Sequence, residues 1–151
     1  IYKPFHECLK GLVTRTHARF GIAVLIDCHS MPASVRIGAN NVRPDFIIGD
    51  RFGTSAAPAL IEHAIGLLSA MGYTVTHNKP YAGGYITEHY GRPARGLHAL
   101  QIEINRGLYM DERTFRKSPG FEALAEDLLR FTADLIAIPE HELAAPPLAA
   151  E

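Results

Sequence analysis

At 151 residues the chain has the length of one domain with a real core. Apolar residues make up 47% and charged residues 21%, an ordinary composition for a soluble globular protein. The formal net charge of −1 gives no electrostatic case for nucleic acid or an anionic membrane as partner, and no apolar run approaches the roughly 20 residues that span a bilayer. The 2 cysteines, Cys8 and Cys28, lack metal spacing and fit a reducing cytosol, so a cytoplasmic protein is expected.

In chain order, Tyr2 to Ala18 reads as a helix, with Phe5, Leu9, Leu12 and Val13 at helical spacing and Gly21 at its exit. Gly21 to His29 reads as a buried strand, because the apolar run Ile22–Ile26 ends in the polar cluster Asp27-Cys28-His29-Ser30. Pro32 to Pro44 reads as an ordered loop, and Phe46-Ile47-Ile48 as a second strand ending in Gly49-Asp50-Arg51. Ser55 is expected to open a helix with Leu60, Ile61, Ala64, Ile65, Leu68 and Met71 on its apolar face and Gly72 as its C-terminal cap. Tyr73 to Thr76 reads as a third strand, ending in His77-Asn78-Lys79. Pro80 to Pro93 reads as a glycine-rich loop with a helical turn around Ile86 to Tyr90.

Leu97 to Asn105 is a fourth strand of clear alternation, with His98, Leu100, Ile102 and Ile104 on one face and Gln101, Glu103 and Asn105 on the other. Phe121 to Ala137 is an amphipathic helix striped by Leu124, Leu128, Phe131 and Leu135. The Ala- and Pro-rich residues 139–151 are expected to form a disordered tail. Strands alternating with helices predict an α/β fold, a mixed, mostly parallel sheet flanked by helices.

Two residues stand out chemically. His29 at a strand end is placed to bind a metal or move protons, and equally to serve as a hydrogen-bonded structural residue. Asp27, two residues back on the same face, can orient its ring, whereas Cys28 points the other way and reads as a small buried residue. Glu103, in a strand with apolar neighbours, reads either as a general base with a raised pKa or as a carboxylate paired with Arg106 or Arg95. Arg51, Arg92, Arg95 and Arg106 offer forked guanidinium groups suited to carboxylates, and surface ion pairs are their other reading. A His-Glu-x-x-His pair, a Walker loop and a Gly-x-Ser-x-Gly elbow are all missing from the sequence. A catalytic zinc takes three protein ligands, and His29 is the one convincing candidate here.

The stretches Ile26-Asp27-Cys28-His29-Ser30-Met31-Pro32, Gly49-Asp50-Arg51-Phe52-Gly53, Asn78-Lys79-Pro80-Tyr81-Ala82-Gly83-Gly84-Tyr85-Ile86-Thr87 and Leu100-Gln101-Ile102-Glu103-Ile104-Asn105-Arg106 resemble, in this order, the N-formylglutamate amidohydrolases. Tyr2-Lys3-Pro4-Phe5-His6 fits the helix that precedes the first of them. The resemblance implies a fold similar to zinc carboxypeptidases and aspartoacylases, with residues 1–138 as the C-terminal portion of a single amidohydrolase domain. It implies zinc-dependent hydrolysis of N-formyl-L-glutamate to formate and glutamate, a step of histidine degradation. His29 would be a metal ligand, with the others upstream of Ile1 in a Pro-His-Ser-Gly-like motif. Glu103 would be the general base. Arg51, Asn78, Tyr85 and Arg106 would bind a small dicarboxylate N-acyl amino acid. Asp27, Gln101 and Asn105 would support these groups from behind. A zinc amidohydrolase for other N-acyl amino acids or peptides, and a metal-free binding module, are the alternatives.

Overall fold

A computed structural model describes residues 1–143 of the chain. Helix α1 (Tyr2–Phe20) leads into strand β1 (Ala23–Met31), with Gly21 in the left-handed conformation that ends the helix. Strand β2 (Phe46–Gly49), helix α2 (Pro58–Ala70), strand β3 (Val75–His77) and helix α3 (Tyr85–Tyr90) follow. A 3-10 turn at Pro93–Arg95 precedes strand β4 (Leu97–Asn105), and a second at Arg106–Leu108 follows it. A short hairpin of β5 (Met110–Asp111) and β6 (Arg116–Lys117), then helices α4 (Phe121–Ile136) and α5 (Glu140–Leu143), complete the described chain.

The strands order β1-β4-β2-β3. β1 runs parallel to β4 and β3 parallel to β2, while β2 runs antiparallel to β4. The fold is therefore α/β with a mixed, mostly parallel sheet, as the alternation of elements predicts. One face of the sheet is apolar. Phe46, Ile48, Leu100 and Ile102 join Leu60, Ala64 and Leu68 of α2 and Leu124, Phe131 and Leu135 of α4 in one core. The other face of β4 carries buried Gln101, Glu103 and Asn105, and it is this face that α3 crosses.

Several sequence expectations need correction. Ser55 does not open α2. The helix starts at Pro58, whose fixed φ suits a first helical position, and the Ser55 hydroxyl donates to the Ala99 carbonyl at 2.7 Å instead. The third strand sits slightly later than Tyr73–Thr76, because Asp45 accepts the Thr74 N–H and draws that residue into the turn before the strand. The β5–β6 hairpin has two-residue strands, too short to leave an alternation pattern. The disordered tail expected from 139 does not begin there: Glu140–Leu143 are helical and Leu143 is buried in the core beside α2. Residues 144–151, the rest of that expectation, lie outside the described residues. Cys28 is exposed rather than buried, because β1 is an edge strand. No helix among the described residues is long and apolar enough to cross a membrane.

Gly49 at the end of β2 admits the loop that leads to α3. A Cβ there would meet the Ala82 carbonyl carbon at 2.6 Å and the Gly83 nitrogen at 2.7 Å, both backbone atoms that cannot rotate away. Gly49→Ala is expected to lower stability in urea by about 1–3 kcal/mol. An unchanged midpoint would show that the 82–84 loop can move off the sheet at no cost.

Candidate active site

Parallel strands in register project paired residues to the same side. β1 and β4 pair Asp27 with Gln101, His29 with Glu103 and Met31 with Asn105. His29 and Glu103, far apart in sequence, are thus direct neighbours on one face.

Glu103 is buried, at 7% exposure. Gln101 Nε2 donates to Glu103 Oε1 at 2.8 Å. The orientation of the Gln101 amide is fixed from behind, because its Oε1 accepts the Gly84 N–H at 2.8 Å. Gly84 is held in turn by the Thr87 hydroxyl, which donates to the Gly84 carbonyl at 2.8 Å. Burial pushes the Glu103 carboxyl above the usual range, and the negative charge of Asp27 adds to this. His29, the Gln101 amide and Arg106 pull the other way, and burial wins. A carboxylate so placed holds a proton more readily than one in water, which suits a group that must accept a proton and return it.

His29 is open to solvent, with 48% of its side chain exposed. Its Nε2 lies 3.1 Å from Asp27 Oδ2. With Nε2–H donated to that carboxylate, Nδ1 keeps the lone pair that a metal or a proton would take.

Arg106, just beyond β4, folds back over the end of β1. Its Nε donates to Ser30 Oγ at 3.2 Å and its Nη2 to the Ser30 carbonyl at 3.3 Å. Glu112, between β5 and β6, sits 3.5 Å from Arg106 Nη1 and also accepts the Ala33 N–H at 3.1 Å. Sequence reasoning did not assign Ser30 or Glu112 a part here. Ser30 could have been found from its place next to His29, whereas Glu112 belongs to a hairpin without a readable pattern.

The remaining predicted residues have partners other than Glu103 and His29. Because β2 is antiparallel to β4, Gly49 pairs with Gln101, about 13 Å along β4 from Asn105. The Gly49-Asp50-Arg51 segment therefore leaves β2 level with Gln101, heading away from Arg106. Arg51 pairs with Glu88 of α3 at 3.2 Å and donates to the Gly83 carbonyl at 3.3 Å. Asn78 is buried, its oxygen accepting the Asp50 N–H at 3.0 Å and its amide donating to Asp50 Oδ1 at 2.7 Å. Both ends of its side chain thus serve the loop. Tyr85 is exposed and stacks on His89 with ring centroids 4.9 Å apart. Asn105 does not touch Glu103. Its amide donates to the Pro44 carbonyl at 2.9 Å and its oxygen caps the following turn by accepting the Gly107 N–H at 2.9 Å.

Beside His29 lies an apolar concavity of about 340 Å³, walled by Cys28, Ser30, Ile104, Tyr109 and Phe121. Cys28, Ser30 and Ile104 belong to the opposite face of their strands from Glu103, so His29 is the residue common to the concavity and the polar face. Among the described residues no group of three or more His, Cys, Asp or Glu could hold a metal ion. His29 with Asp27 behind it has the chemistry of one arm of a zinc site, and these residues alone do not complete one.

The sequence matches the N-formylglutamate amidohydrolase family over residues 1–110. It is 37% identical over 113 residues to the N-formylglutamate deformylase of Pseudomonas putida, covering 74% of this chain and 42% of that protein. To the Pseudomonas aeruginosa N-formylglutamate deformylase it is 36% identical over 114 residues, covering 75% and 43%. The chain thus spans under half the length of these relatives. The fold superposes on the crystal structure of N-formylglutamate amidohydrolase from Ralstonia eutropha JMP134 with a TM-score of 0.82 at 38% identity, over 87% of this chain and 48% of that one. A gene product of Agrobacterium tumefaciens shares the fold alone, with a TM-score of 0.64 at 19% identity, over 91% of this chain and 50% of that one. The four motifs, the pairing of His29 with Glu103 that they build, and these likenesses agree: the chain belongs to the N-formylglutamate amidohydrolase family.

Proposed function

We propose that the protein carrying this chain hydrolyses the formamide bond of N-formyl-L-glutamate, consuming one water and releasing formate and L-glutamate. The observation that supports this most is the pairing of His29 with Glu103 across β1 and β4 in a member of this family. Glu103 takes a proton from the attacking water at its carboxylate and delivers it to the leaving amine nitrogen. Gln101 holds one carboxylate oxygen and so fixes the direction of the other. Asp27 steadies the His29 ring. Arg106 binds a substrate carboxylate with the guanidinium edge that Glu112 now faces.

Zinc is part of the proposal, with His29 as one of its ligands and the others supplied from outside the described residues. When bound, it would polarise the formyl carbonyl and acidify water. The reading is tested by release of the free amino acid from N-formyl-L-glutamate, N-acetyl-L-glutamate and N-formylglycine. Preference for the first supports it. Equal turnover of the acetyl compound would instead make the protein a broader deacylase.

Three variants probe the roles. Glu103→Gln keeps the shape and cannot take the proton, so kcat is expected to fall about 10²–10⁴-fold. The fold should survive and even gain at neutral pH. Burial raises the Glu103 pKa in the folded state, so the folded chain loses stability as pH rises through that value and Glu103 ionises. The Gln variant should therefore melt higher than wild type at pH 7. The gap should close below the ordinary Glu value of 4.5. A lower melting temperature at pH 7 would contradict the burial argument.

His29→Ala in the zinc-loaded protein is expected to cut bound zinc well below one equivalent, read by elemental analysis. Undiminished zinc would remove His29 from the ligand set. For Arg106→Gln, loss of a charge-assisted contact should raise KM roughly tenfold or more while kcat changes less. An unchanged KM would leave Arg106 as the partner of Ser30 and Glu112 alone.

A further inference from the structure

A second concavity lies at the other end of β4, near Leu97, about 20 Å along the strand from Glu103. It holds about 230 Å³ and is lined by Lys10 and Thr14 of α1, His89 at the end of α3, and Arg92 and Arg95 of the following turn. None of the ion pairs among the described residues involves Lys10, Arg92 or Arg95. The nearby acid Glu88 is engaged by Arg51.

Both walls are firm. The turn carrying Arg92 and Arg95 is closed by paired backbone hydrogen bonds between Arg92 and Leu97, at 2.6 and 3.2 Å. The Arg95 N–H donates to the Arg92 carbonyl at 2.8 Å. His17 Nε2 donates to the Arg95 carbonyl at 2.8 Å and ties the turn to α1. Arg92 Nη1 donates to the Glu88 carbonyl at 2.7 Å and to the Gly91 carbonyl. Its other two nitrogens have no acceptor among the described residues.

Lys10, Arg92 and Arg95 are exposed cations around one small concavity, they repel one another, and no ion pair among the described residues engages them. A bound anion would relieve that repulsion and receive forked donors. We propose that this concavity is a binding site for a small polyanion carrying two or more negative charges, a phosphate or a polycarboxylate, separate from the Glu103 site. The volume excludes bulky ligands, and the spread of the cations over α1 and the turn favours a ligand with several acceptor oxygens over chloride.

The test is calorimetric titration of the full protein with inorganic phosphate and, separately, citrate, in sodium chloride of about 0.15 M. Saturable one-to-one binding of at least one probe is expected, and whichever binds assigns the ligand as phosphoryl or carboxylate. Lys10→Gln and Arg95→Gln should each weaken it about tenfold, the size of one lost charge-assisted contact. The double variant should lose it, and Glu103→Gln should leave it unchanged. Thermal melts confirm that the surface variants fold, and Lys10→Glu gives a second, charge-reversing probe. Absence of saturable heat with both probes, full binding by the folded double variant, or loss of the heat in the folded Arg106→Gln variant, which would place the probe at the Glu103 site, would each overturn the proposal.

Discussion

The in-register parallel pairing of β1 with β4 is the constraint on which the site depends. It makes His29 and Glu103 neighbours by backbone geometry alone. A slip of one residue would turn either side chain to the opposite face. The apolar face guards against that slip, since Leu100 and Ile102 would then leave the core they share with α2 and α4. The packing of one side of the sheet thus fixes the chemistry of the other.

Burial of Glu103 is tolerated because its surroundings are polar in a fixed order. Gly84, Gln101 and Glu103 form a chain of hydrogen bonds in which each donor has one direction open to it. Gly49 permits this arrangement by letting the 82–84 backbone lie against the sheet. A residue without a side chain on one strand therefore governs the setting of a carboxylate on the next.

Much of this was legible in the sequence and some was not, for definite reasons. The strict alternation from Leu97 to Asn105 marked β4 and its two faces, since one face meets a core and the other does not. His29, Asp27, Gln101 and Glu103 could be gathered on one face because β1 and β4 are regular. Strand direction was illegible. An antiparallel β2 sends Arg51 away from Arg106, and nothing in Phe46–Gly49 encodes that reversal. Side-chain partners were illegible for a similar reason. Asn105 follows the period of Gln101 and Glu103, yet Pro44 and Gly107 lie within its reach and claim its amide. Cys28 fits a buried strand by pattern and is exposed because that strand is an edge.

The reversal at β2 has one more consequence. β1 ends, and β2 begins, at the same edge of the sheet where β4 ends, so the connection from Pro32 to Asp45 departs and returns beside His29 and Arg106. Both of its feet are anchored: Glu112 receives the Ala33 N–H, and Asn105 clasps Pro44. Between those anchors the chain can lengthen or shorten without altering the strand pairing. The segment bordering His29 and Arg106 can therefore change while the pairing of His29 with Glu103 stays as it is.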